Sequence, residues 1–348
     1  MATIIHTTDP EFVAKSEHNF FDRFFLQYII DVRDLPFIHL CLKMVFFIFP
    51  FVTVLYNPTL FNWWLAAIYL VVIIGYFLGP FILMLHNTSH RPLFKSDYKV
   101  LNNFIPWVLG PFMGESPETY FAHHMGMHHV ENNMENDLSS TLKYNRDNVL
   151  HFHRYFFEFF FAGLIELFLY FTKRNRTQIR NWMTFGEFTY GVFVLILFFI
   201  NWQATLVVFV IPFIVARYGM MAGNWAQHSF VDATDPENNY KNSITCINAV
   251  YNQKCFNDGY HIGHHLKANR HWTDLPRDFR ENIEKYASNK AIVFRKLDFF
   301  SIWFFLMIKN YNVLANHYVQ LDESNPLSKE EIIALLKQRT RRVLTQAR

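Results

Sequence analysis

Seventeen of the 348 residues are histidine, and eleven of these fall in two windows, 86–129 and 228–271. Four elements carry informative spacing. His86-Asn87-Thr88-Ser89-His90 is HxxxH. His124-Met125-Gly126-Met127-His128-His129 is HxxxHH, with His123 directly before it. Asn224-Trp225-Ala226-Gln227-His228 is NxxxH, and His261-Ile262-Gly263-His264-His265 is HxxHH. Two imidazoles at i and i+4 share one helix face and can grip one ion. Singly, each element is as readily a surface or packing pair. Together they offer more nitrogen donors than one ion accepts, which suits two first-row metals. A structural zinc site would close with about four ligands. A larger, two-metal set with open positions points to redox or hydrolytic work.

The elements that must position these residues are apolar. Crossing a bilayer takes about 20 mostly apolar residues. Four stretches qualify: 36–56, 63–85, 182–200 and 204–222. The links within each pair, NPTLFN and NWQ, are short, so each pair reads as a membrane hairpin. Lys and Arg set the orientation. Neither link has any, three precede residue 36, ten lie in 86–181 and seventeen follow 222. By the positive-inside rule both termini and both histidine windows are cytoplasmic. The predicted class is therefore an all-α integral membrane protein. Its four transmembrane helices form two hairpins, with interfacial helices and a cytosolic His-rich cap.

Residues 155–171 are apolar, but Glu158 and Glu166 interrupt them and basic residues flank both ends, so an interfacial helix is expected. A crossing there would also separate the two histidine windows by parity. Residues 101–114 and 294–308 read as re-entrant or interfacial pieces. Ser328 to Glu331 has the pattern of a capping box that starts a C-terminal packing helix. The expected organisation is a cytosolic segment 1–35, a membrane catalytic domain 36–275 and a cytosolic or interfacial helical region 276–348.

Composition narrows the classes further. The chain is 51% hydrophobic and only 18% charged, which excludes a disordered protein. A net charge of +3 without a basic stripe gives no nucleic-acid interface. Cys41, Cys246 and Cys255 are odd in number and widely spaced, so neither a disulfide framework nor a cysteine zinc site is expected. The polar N-terminus lacks a signal-peptide pattern, so insertion is expected to rely on the internal spans.

The set HNTSH, HMGMHH, NWAQH and HIGHH, with the two-hairpin topology over about residues 36–275, resembles the membrane fatty acid desaturase superfamily. The resemblance implies a di-iron centre held by His86, His90, His124, His128, His129, His228, His261, His264 and His265. Asn224 would reach a metal directly or through water. The implied reaction is O2-dependent desaturation of a lipid acyl chain that enters from the bilayer. A fatty acid or alkane hydroxylase on the same scaffold is the alternative. The common second box is HxxHH, and the extra residue here also occurs in alkane-hydroxylase-like members. That spacing leaves His123 open as an extra ligand, a neighbour of the ligands or a substitute for His124.

No HPGG haem motif occurs, so the resemblance implies electrons from a separate carrier such as cytochrome b5 or ferredoxin. Lys254, Lys267, Arg270, Arg277 and Arg280 offer a positive surface for an acidic donor, or a merely solvated one. The membrane would be endoplasmic reticulum or a bacterial inner membrane. The terminal Thr345-Gln346-Ala347-Arg348 carries no retention signal.

Other polar residues lie near the boxes. Asp137 reads as a loop acid, with a carboxylate bonded to a ligand imidazole as the alternative. Asp232 divides evenly between those roles, Asp258 leans toward a turn or imidazole-orienting role, and His271 reads as a packing residue. Cys255 reads as structural, and His151 and His153 as surface residues. A metal-transport or storage protein is the competing class. It would line its spans with ionisable groups, whereas these spans hold only His39, Lys43, Glu187 and Arg217.

Overall fold

The computed structural model describes residues 5–322 and 324–343, so the terminal TQAR lies outside the described residues. The chain divides into two compact units. A span unit comprises Val13–Gly126 and Leu167–Tyr218, and a mixed unit comprises Met1–Phe12, Met127–Glu166 and Gly219–Arg348.

Among the described residues five helices are long and apolar enough to cross a membrane: α1 (Val32–Tyr56), α2 (Trp63–His90), α3 (Val149–Lys173), α4 (Thr177–Ile200) and α5 (Trp202–Gln227). Their boundaries follow local chemistry. The Asn62 side chain accepts from Leu65 N at 2.9 Å and caps the start of α2. Asn201 accepts from Ala204 N at 3.1 Å and caps α5. Large apolar side chains remain exposed along these helices, among them Phe46, Trp64, Phe161, Phe199 and Ile200. Water would not tolerate such continuous apolar surface, whereas lipid does.

Two of the helices run past their expected ends. The second continues from 85 to His90 and the last from 222 to Gln227, which puts HNTSH and Asn224 on final helical turns. The third helix differs more. The helix expected at 155–171 runs longer, over Val149–Lys173, and it too is long and apolar enough to cross, so among the described residues five helices rather than four meet that requirement. Glu158, which argued against an apolar span, is neutralised locally. It accepts from Lys143 Nζ at 3.0 Å, Tyr144 OH at 2.6 Å and Arg154 Nε at 2.7 Å.

In the mixed unit the chain forms the chemistry-bearing helix α6 (His261–Leu266), then α7 (Phe299–Met307), α8 (Tyr311–Asn316) and α9 (Lys329–Arg339). Strands β1 (Ile244–Ile247) and β2 (Ile292–Arg295) pair in parallel, Ile244 opposite Ile292. The apolar stretch expected as one interfacial piece at 294–308 is therefore split. Its start completes the sheet, and only α7 is helical. Ile247, Tyr260, Ile262, Phe279, Tyr286 and Val293 form one buried cluster beneath α6. Gly259 enters this helix where a Cβ would lie 2.4 Å from the Cys246 carbonyl oxygen, so no larger residue fits without a shift. The capping box at Ser328 is present, with Glu331 as its reciprocal partner.

Candidate metal centre

The mixed unit gathers four box histidines. His128 comes from the second element, His228 follows α5, and His261 and His265 lie four apart on α6. One ring nitrogen from each lies within 4.8 Å of the others. His228 Nε2 is 3.4 Å from His261 Nε2, which is 3.0 Å from His265 Nε2. Metal–imidazole bonds are about 2.0–2.1 Å for zinc and similar ions, so adjacent ligands of one ion lie roughly 3 Å apart. The spacing fits a shared ion.

The far sides of two rings are already committed. His128 Nδ1 donates to Asp137 Oδ2 at 2.7 Å, and His228 Nδ1 donates to the Asn242 carbonyl at 2.9 Å. A proton fixed on Nδ1 leaves the Nε2 lone pair for a metal. Asp137 is itself buried. It accepts from Asn133 N at 2.8 Å, Ser139 N at 2.8 Å and Ser139 Oγ at 2.6 Å, which orient its carboxylate. Burial, then the neighbouring His128, pushes His228 down to about 4. Burial also holds His265 well below its ordinary value. Both rings are thus neutral near pH 7, the form in which imidazole coordinates. In the same unit, His129 Nε2 and His264 Nε2 are 3.0 Å apart.

The span unit holds a second group. His86 and His90 project from the last turns of α2, and their rings meet His124 at centroid distances of 4.5 and 5.1 Å. His90 Nε2 is 3.0 Å from His124 Nε2. The three residues between the box histidines turn back on their own helix. Asn87 donates to Leu83 O, Thr88 to Met84 O and Ser89 to His86 O. Their polar groups are satisfied locally, and the imidazoles remain for other partners. Tyr120 stacks on His124 at 5.3 Å.

The extra residue of HxxxHH is absorbed locally, because His124–His128 is wound as a π-helical turn. With i→i+5 bonding, a turn takes up more than the usual residues, so positions four apart return toward one side. His124 falls in a histidine group that could hold a metal, and His123 falls in neither such group. Asn224 commits its amide nitrogen, donating to Ser139 O at 2.9 Å and Tyr155 OH at 2.7 Å. That leaves its Oδ1 as the atom available to a metal or water.

Asp137 is the residue the sequence reading undervalued. It is no ordinary loop acid but the acceptor for His128. Its only local signal was a short polar run, ENDLSS, after the box. Asp232 pairs instead with Arg339 at 2.9 Å, and Asp258 accepts from Tyr251 OH at 2.9 Å. His271 is buried, and its Nδ1 accepts from Thr273 N at 3.2 Å. Cys255 is a buried free thiol, while His151 and His153 are half-buried. Three of the five basic residues considered for a donor surface are already paired: Arg270 with Asp278, Arg277 with Asp274 and Arg280 with Glu11.

No curated protein and no solved structure matches the chain. The family model described as fatty acid desaturase matches residues 61–296. That stretch covers more than half of the chain and all four histidine elements, and the protein belongs to the fatty acid desaturase family.

Proposed function

We propose that this chain is a di-iron, O2-dependent fatty acyl desaturase that introduces a double bond into a lipid acyl chain, with electrons from a separate carrier. The family comprises oxidoreductases of the desaturase and hydroxylase type. The observation that carries the reading is the all-imidazole donor set of His128, His228, His261 and His265, with the tautomers of His128 and His228 set by Asp137 and Asn242. His128, His228, His261 and His265 hold one iron. By the family resemblance the other box histidines, His129 and His264 in the mixed unit and His86, His90 and His124 in the span unit, are the remaining candidate donors, with Asn224 Oδ1 as a further one.

When bound, the irons supply oxidation of an unactivated C–H bond by dioxygen. Overall, two hydrogens leave adjacent methylenes, two electrons and two protons come from outside, and both oxygen atoms leave as water. Burial holds His228 and His265 neutral, and outer hydrogen bonds fix the direction of the His128 and His228 rings. Exposed apolar helix faces keep the acyl chain at hand.

Topology supports a cytoplasmic site. His128 and His228 meet within one unit, with ring centroids 5.4 Å apart, and α3, α4 and α5 lie between them in sequence. A site on one membrane face requires an even number of crossings between these residues. We therefore propose that α4 and α5 cross and α3 lies along the interface, where Arg154 and Lys143 meet Glu158 in the polar zone. The termini then lie in the cytoplasm, as the Lys and Arg distribution indicates.

Expression in a host of defined lipids, followed by mass spectrometry of total fatty acids, tests the reading. Products lighter by two hydrogens support it. Products heavier by one oxygen replace it with hydroxylation, the alternative left open by an HxxxHH spacing that alkane-hydroxylase-like members share.

A further inference from the structure

One cavity of the mixed unit involves none of the histidines. It measures about 470 Å³ and is lined by Asn145, Asp147, Lys337, Thr340, Arg341 and Arg342. Three cations thus face one carboxylate. Lys337, Arg341 and Arg342 are all exposed. Asp147, the only acid among the described lining residues, accepts from Tyr311 OH at 2.8 Å. The Arg342 backbone N–H donates to Asn145 Oδ1 at 3.1 Å and holds the arginine pair at the rim.

Lys337 lies in the last turn of α9 and Arg341 and Arg342 follow its end, where a bare helix C-terminus would repel an anion. Here the terminal carbonyls are already occupied. Buried Arg146 donates Nη2 to Arg339 O at 2.8 Å and to Arg341 O at 2.6 Å. Burial pushes Arg146 down only to about 9, so it stays cationic at neutral pH and adds to the positive field.

The cavity also borders apolar surface. α3 begins two residues after Asp147, and Leu150, Phe157 and Phe161 on it are exposed. Phe152 of α3 meets Trp303 of α7 at 5.1 Å, and Phe300 and Phe304 of α7 are exposed as well. Tyr311, which touches Asp147, opens α8 shortly after α7 ends. A soluble anion would use only the cations. A ligand with both a phosphate and acyl chains would use the cavity and the adjoining face together.

We infer that this cavity binds the phosphate headgroup of an anionic membrane phospholipid, whose acyl chains lie along the exposed faces of α3 and α7. The test is native mass spectrometry of the purified full chain with phosphatidylglycerol and phosphatidylcholine of identical acyl chains. The wild-type protein should retain phosphatidylglycerol roughly tenfold better, given the attraction expected for three cations. The Lys337→Gln/Arg341→Gln/Arg342→Gln variant should fall to near parity, while Lys254→Gln/Lys285→Gln should keep the preference. An unchanged preference in the triple variant overturns the inference. So does full displacement of the lipid by glycerol phosphate, which would mark a soluble phosphate site. Displacement by an acidic carrier protein, without any lipid preference, overturns it too. Should the triple variant not fold, the wild-type preference must still weaken from low salt to about 1 M salt. A salt-independent preference overturns the inference.

Discussion

Asp137 Oδ2 lies 2.7 Å from Nδ1 of His128, and both side chains are buried. The carboxylate holds the ring in one tautomer and raises the basicity of the nitrogen left for a metal. Loss of such a partner typically lowers metal affinity or activity about 10–100-fold. Asp137→Ala should show that loss in iron content per chain, measured by elemental analysis after dialysis against a chelator. Asp137→Asn keeps an acceptor for the ring N–H and should retain more iron. Equal iron in wild type and Asp137→Ala would refute this role.

His261 and His123 separate ligand from bystander. His261 Nε2 lies within 3.4 Å of two other ring nitrogens, whereas His123 stands outside both ligand groups. His261→Ala should lower iron from about two ions per chain toward one and abolish product formation. His123→Ala should retain the full iron content. The reverse pattern would make His123, not His261, a ligand.

Glu115 makes stability depend on pH. It is buried, and that burial pushes it up to about 7 from 4.5, partly offset by Arg217. The folded state therefore binds the extra proton between those values. Stability from this group is full below about 4.5 and is lost as pH rises through about 7. Melting of the detergent-solubilised protein should be several degrees higher at pH 5.5 than at pH 8. Glu115→Gln, which stays neutral, should remove that part of the difference. A Glu115→Gln profile with unchanged slope would sink the assignment.

Asp9 ties the N-terminal segment beneath α6. Its Oδ2 accepts from Tyr260 OH at 2.6 Å and from Asn248 N at 2.7 Å, and Tyr260 directly precedes His261. Asp9→Ala removes both bonds in a buried setting and should cost about 1–3 kcal/mol. Thermal melting measures the loss. Iron bound to the variant should also exchange faster, because the start of α6 is less well held. Unaltered melting and exchange would show the strap to be incidental.

Much of the site could be read from one-dimensional spacing. HxxxH at 86–90 and the His261/His265 pair follow the helical repeat, so one helix aligns their rings whatever surrounds it. Long apolar runs separated by short links likewise declare membrane helices, because lipid leaves the backbone little choice. The sequence also named the family through the joint pattern of its boxes. Which histidines meet was not local information. His128 and His228 are a hundred residues apart, and only packing of the chain onto the β1–β2 framework brings His261 and His265 to them.

Asp137 shows the same limit. Nothing in ENDLSS distinguishes a solvated acid from one whose carboxylate is fixed by Asn133 and Ser139 and aimed at an imidazole. The strand at 292–295 was hidden in an apolar run because its pairing partner lies some fifty residues away. Sequence by itself determined the donor types on offer, the helical spacing and the apolar spans, all set by short-range periodicity and composition. Tertiary structure alone decided which ligands share a cluster and which carboxylate orients them, because those depend on contacts between distant segments.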